Sequence, residues 1–133
     1  MNFKALSLAT IAVAAFAAPA FAHHSFAMFD AQKTVTLAGT VAELEWTNPH
    51  SWLRVMVMDQ AGTSRQWAFE MGGPAQSMRA GWKADTVRPG DKVTVTMHPL
   101  RDGSRGGQFM SAVLADGQQL GNGGRRPNPL GED

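Results

Sequence analysis

The chain has 133 residues, with 12 Lys/Arg against 11 Asp/Glu and a formal net charge of +1. That balance excludes the basic footprint that nucleic acid or an anionic lipid surface requires. There is no cysteine, which excludes disulfides, thiolate-held metals and a thiol nucleophile. In chain order the first element is a leader. Lys4 supplies a positive charge, an apolar run follows from Ala5 to Ala18, and Ala20-Phe21-Ala22 is a small-x-small cleavage site. This pattern predicts a signal peptide over residues 1–22, cleaved from a periplasmic or secreted protein. The run is too short for a bilayer span, which takes about 20 apolar residues, so no stable membrane insertion is expected after cleavage. Removing 22 of 133 residues leaves 111, one domain with a modest core. Lys4 is the only charge lost, which leaves 11 basic and 11 acidic side chains.

The domain is expected over residues 23–120. Val35, Leu37 and Val41 alternate with threonines, which reads as a strand. At Leu44 and Trp46 the apolar set moves to even positions, the signature of a β-bulge that lets one strand serve two sheets. Thr47-Asn48-Pro49 is a turn. Ser51 to Met58 is the second strand, with Leu53, Val55 and Val57 on one face and Trp52, Arg54, Met56 and Met58 on the other. Asp59 to Gly62 is a hairpin loop, and Arg65 to Met71 is a third strand with Trp67, Phe69 and Met71 on one side. Gly72-Gly73 ends it. Pro74 opens a short helix, with Ala75, Met78 and Trp82 at helical spacing. Val93 to His98 is the fourth strand, Arg101 to Gly107 a polar loop, and Phe109 to Ala115 the fifth strand. Residues 121–133 hold one large apolar side chain, Leu130, and read as a disordered tail. Three strands, a helix and two strands give a mainly β fold: a small five-stranded OB-like barrel with one short helix between strands three and four.

Four segments carry a resemblance: His23-His24-Ser25-Phe26 with Phe29-Asp30; Gly39-Thr40-Val41 through Glu45-Trp46-Thr47-Asn48-Pro49-His50-Ser51-Trp52; Trp67 to Gly72 with Gly81-Trp82; and Pro89 to Val93. Over residues 23–120 they resemble domain-of-unknown-function family 6152, small exported bacterial proteins. That likeness implies export and a small β-rich domain, and no activity. A looser architectural likeness is to periplasmic OB-fold copper chaperones, which bind Cu(I) with a His, a Met-x-Met pair and a Trp. Here His50, Trp52, Met56 and Met58 lie within nine residues. In the chaperones a longer loop separates the His from the others.

Two donor sets follow from the residues. Cleavage after Ala22 places the imidazoles of His23 and His24 beside a free α-amine, and nitrogen donors of this kind suit Cu(II). His50 is the inner partner expected for them, because strand one ends near it and Phe26 and Phe29 can bring the N-terminal segment back over the same barrel mouth. Met56 and Met58 are either packing residues under a covering segment or soft thioether ligands for Cu(I). A metal-free alternative uses a tryptophan-rich mouth, with Trp46, Asn48, His50, Trp52, Trp67 and Glu70 contacting a small ligand or partner. His98 reads as an exposed side chain at the end of strand four. Glu43 and Glu45 are two apart on strand one, the carboxylates a paired-acid mechanism would draw on if they share a face. No Gly-x-Ser-x-Gly elbow, phosphate loop or His-Glu-x-x-His is present. The sequence therefore points to binding and not to an enzyme. The expected partner is a metal ion, copper foremost, a small ligand or another exported protein, and not a nucleic acid.

Overall fold

Val35, Leu37 and Val41 share a buried face only if the backbone is extended. They lie in β1, Val35–Glu45. A computed structural model describes residues 26–123. The expected leader 1–22, its cleavage point, His23, His24 and tail residues 124–133 lie outside the described residues. β1 pairs with β2 (Trp52–Met58) from Thr40↔Met56 to Glu45↔Trp52, and the register slips between Val41 and Glu43. That slip is the bulge read from the parity change. The other half of β1 pairs with β4 (Lys92–Pro99), from Val35↔Met97 to Thr40↔Lys92. One bent strand thus belongs to both walls of the barrel.

β3 (Ser64–Glu70) returns from the Asp59–Gly62 turn and pairs with β2 along its whole length. The helix α1 (Pro74–Arg79) follows β3, as expected, and then β4, β5 (Gly106–Leu114) and β6 (Gln119–Gly121). The sheet order is β3-β2-β1-β4-β5-β6, and a parallel β3–β5 ladder closes it. Five strands and one helix between β3 and β4 make an OB-like barrel. Leu53, Val55, Phe69, Val95 and Met97 are fully buried inside it. Trp82 seals one end and packs edge-to-face on Phe109, ring centroids 5.5 Å apart. Among the described residues no helix is long and apolar enough to cross a membrane.

Three expectations are corrected. The loop read over Arg101 to Gly107 stops at Arg105, because Gly106 and Gly107 begin β5. They form the closure itself, in register with Ala68 and Phe69. A Cβ on Gly106 would lie 2.7 Å from the Ala68 carbonyl oxygen, so only glycine lets the strands approach. The helix does not bury Met78, which is 56% exposed; it buries Ser77, whose hydroxyl donates to the Gly72 carbonyl at 3.1 Å. With six residues α1 ends at Arg79, and Trp82 enters the core from beyond it. Gly121 belongs to β6 and not to a tail. The indole Nε1–H of Trp82 donates to its carbonyl at 2.9 Å, and Leu120 beside it is buried.

Candidate functional site

The Thr47–Ser51 turn is built to hold one side chain. Thr47 Oγ1 donates to the His50 carbonyl at 2.9 Å, and Ser51 Oγ donates to the Thr47 carbonyl at 3.3 Å. The Asn48–Pro49 peptide is cis. Backbone bonds between Ser51 and the Met71–Gly72 segment fasten the turn to the end of β3. Asn48 itself is exposed, its turn pressed close against Gly73. The result places the His50 ring beside Glu70 and Met71.

His50 Nδ1 lies 3.0 Å from the Met71 carbonyl oxygen and 3.3 Å from Glu70 Oε1. A carbonyl only accepts, so Nδ1 carries the proton and the lone pair of the neutral ring sits on Nε2. This is how histidines that ligate metals are oriented, with the second nitrogen held by a carbonyl or carboxylate. Glu70 is only 7% exposed, and among the described residues His50 is its sole ion-pair partner. A buried carboxylate is costly unless a cation compensates it. Its neighbours form a cleft of about 230 Å³ lined by His50 and Glu70 together with Phe26, Phe29, Gln108 and Asn122. The parallel β3–β5 ladder sets Gln108 directly beside Glu70.

The structure brings His50 and Glu70 together and delivers Phe26 and Phe29 to the same cleft, the fold-back read from the sequence. It does not bring the methionines there. Met56 and Met58 line a separate outer concavity of about 660 Å³ that shares no residue with the first. Met58 is 63% exposed, so it is not a core residue. Nor do the tryptophans converge. Trp46 and Trp67 pack against the core, and Trp67 stacks on Phe69 with centroids 6.4 Å apart. Trp52 is half-buried on β2, in register between Glu45 and Glu70. Neither concavity is lined by a tryptophan.

The other candidate groups have local partners. Arg54 pairs with both acids of β1, 3.6 Å from Glu43 Oε2 and in closer contact with Glu45. A carboxylate pair neutralised by a guanidinium is a surface network, not an acid–base pair. His98 Nδ1 donates to the Lys33 carbonyl at 2.7 Å and ties the end of β4 to the turn before β1. His23 and His24 lie outside the described residues. Among the described residues no three His, Asp or Glu side chains come within range of one ion. His50 Nε2 thus offers one donor, oriented by the Met71 carbonyl and Glu70, and any further ones must come from elsewhere. Sequence reasoning missed Gln76, Gln108 and Asn122 at the cleft. Gln108 was on view as the residue preceding Phe109, but nothing in the sequence announces the parallel ladder that turns it toward Glu70. Asn122 fell in the stretch read as tail.

Comparison with curated proteins and with solved structures finds no match. Residues 10–109 match the family model described as a family of unknown function (DUF6152), and the chain belongs to that family.

Proposed function

We propose that this is an exported binding protein in which Cu(II) is held at the His50–Glu70 cleft by the processed N-terminus. The observation that carries this reading is the position of Phe26, which lines the cleft with His50 and Glu70. Three residues of chain reach at most about 11 Å, so a terminus at His23 starts within reach of His50. The donors are the His23 amine, the imidazoles of His23 and His24, and His50 Nε2. Nitrogen donors suit Cu(II), and Glu70 supplies the negative charge and orients the His50 ring. Met56 and Met58 have no place in this site.

The test begins with mass spectrometry of the native protein, which should start at His23. The processed protein should then bind Cu(II) with a Kd below about 1 μM. One extra residue before His23, or His50→Ala, should each weaken binding. A chain still starting at Met1, or an affinity that neither change alters, overturns the copper reading. In that case the alternative, a module that binds a small ligand or another exported protein without metal, gains the phenylalanine-lined cleft instead of the tryptophans as its site.

A further inference from the structure

The cleft beside His50 joins one buried negative charge to an apolar lining. Glu70 is 7% exposed, and its carboxylate lies 3.3 Å from His50 Nδ1. That nitrogen is shared with the Met71 carbonyl at 3.0 Å, so a neutral His50 gives Glu70 part of one hydrogen bond and no charge. Across the sheet, Glu70 is in register with Gln108 on β5, and Gln108 with His98 on β4. His98 is committed elsewhere, its Nδ1 donating to the Lys33 carbonyl at 2.7 Å. No lysine or arginine lines the cleft. A carboxylate withdrawn from water is costly unless a cation lies beside it. Among the described residues the protein supplies no permanent one.

Most of the remaining lining is apolar. Phe29, Met71 and Phe109 are buried and therefore fixed. Phe26, in the 3-10 turn Phe26–Met28, also lines the cleft but is 67% exposed, which puts it at the mouth. Aromatic faces attract a cation as well as an alkyl chain. Gln76 and Gln108 add side-chain amide oxygens that accept N–H bonds. The volume, about 230 Å³, lies below the range of about 300–1,000 Å³ for drug-sized ligands, so the occupant is small. A bare inorganic cation would leave the phenylalanines unused, and an anion would face Glu70. We infer that the cleft binds a small organic cation, a primary ammonium whose N–H groups meet the Glu70 carboxylate and whose short apolar tail lies against Phe26 and Phe29. The cleft is the one used in the copper reading, but no metal and no residue before Phe26 takes part.

The test titrates n-butylammonium into the metal-free protein, followed by calorimetry and amide chemical shifts. Binding with a Kd below about 1 mM is expected, with shifts at the Gly72 and Gln108 amides. n-Butanol has the same tail without the charge and should bind about ten-fold more weakly or worse. Glu70→Gln keeps the shape and should cost butylammonium about ten-fold in affinity while leaving butanol binding as it was. A collapsed cleft would instead lose both ligands, and the Trp82 indole N–H, bonded to Gly121, reports whether the barrel is intact. Phe26→Ala should weaken butylammonium about three-fold, and Met58→Ala, on the other concavity, should leave it unchanged. No binding at about 10 mM, equal binding of butanol, or an E70Q affinity equal to the parent's overturns the inference. Tighter binding of N-acetyl-lysine amide than of butylammonium overturns the free amine as ligand and gives the cleft to a lysine side chain of a partner. A protein that takes butylammonium but not Cu(II) keeps this inference and loses the copper reading; one that takes Cu(II) but not butylammonium does the reverse.

Discussion

At the scale of single residues, the chemistry concentrates on one pair. His50 and Glu70 were both visible in the sequence as unusual: an imidazole after a proline turn and a lone acid on a polar strand face. Their contact was not visible, because it depends on the Ser51–Met71 backbone bonds that bring the turn alongside β3. Glu70 has a carboxylate too buried to be solvated well and no arginine or lysine within ion-pair range among the described residues. In the copper reading its part would be to supply charge and to orient His50. Glu70→Gln preserves shape and removes the charge, so it should leave the fold intact and lower Cu(II) affinity by about 10–100-fold, as loss of an outer-shell partner does. A competition titration with a chelator of known affinity measures this. An affinity equal to that of the parent would show that the metal is held without the cleft. The same scale bears on Met58, which the sequence left open between packing and ligation. It follows the alternation that puts Leu53, Val55 and Val57 on the opposite face, and it is 63% exposed among the described residues.

At the scale of elements, parity was enough to find five strands, the bulge in β1 and the helix after β3. These features are local: each depends on side chains two or four residues apart. What was lost is non-local. The Gly106–Gly107 pair looked like loop because glycine is a loop residue, yet it is required where β3 and β5 meet too closely for a Cβ. β6 was not expected as a strand: Leu120 is its one large apolar side chain, Gly121 fell in the stretch read as tail, and Trp82, which holds Gly121, is 39 residues away in sequence. The β2–β3 hairpin shows an element held from within. Asp59 takes the Thr63 N–H at 2.8 Å, Arg65 Nε at 3.3 Å and the Ala61 N–H at 3.0 Å. The Thr63 bond foremost, then Arg65 and Ala61, keep its carboxyl below the usual carboxylate range. A depressed acid stabilises the fold above its unfolded value and loses that contribution as pH falls through the folded one. The hairpin loop should therefore loosen only in acid, below about pH 4. The Thr63 amide shift followed by NMR should move in that window, and Asp59→Asn should abolish the movement.

At the scale of the whole molecule, both ends of the described chain arrive at one place. Phe26 lines the cleft from the N-terminal side and Asn122 from the β6 side, where Gln76 Nε2 donates to the Asn122 carbonyl at 2.9 Å. In the copper reading, a metal at this point would join the first and last described segments to the middle of the barrel. That geometry makes thermal stability a test of where copper sits. The His23 amine and the two adjacent imidazoles exist equally in folded and unfolded chains, so copper held by them alone would bind both states and leave Tm unchanged. His50 Nε2 and the Glu70 charge come together only in the native barrel. Copper that uses them binds the folded state preferentially. At a hundred-fold excess over Kd such binding adds about 2.7 kcal/mol, which for a domain near 100 residues raises Tm by about 10 °C or more. The rise should shrink as pH falls, because each imidazole and the amine must shed a proton to bind. It should also disappear in His50→Ala while some copper stays bound. Differential scanning calorimetry of the processed protein, with and without Cu(II) at two pH values, measures all three effects. A protein that binds copper tightly and melts at the same temperature would place the ion on the terminus alone and leave the His50–Glu70 cleft to another ligand.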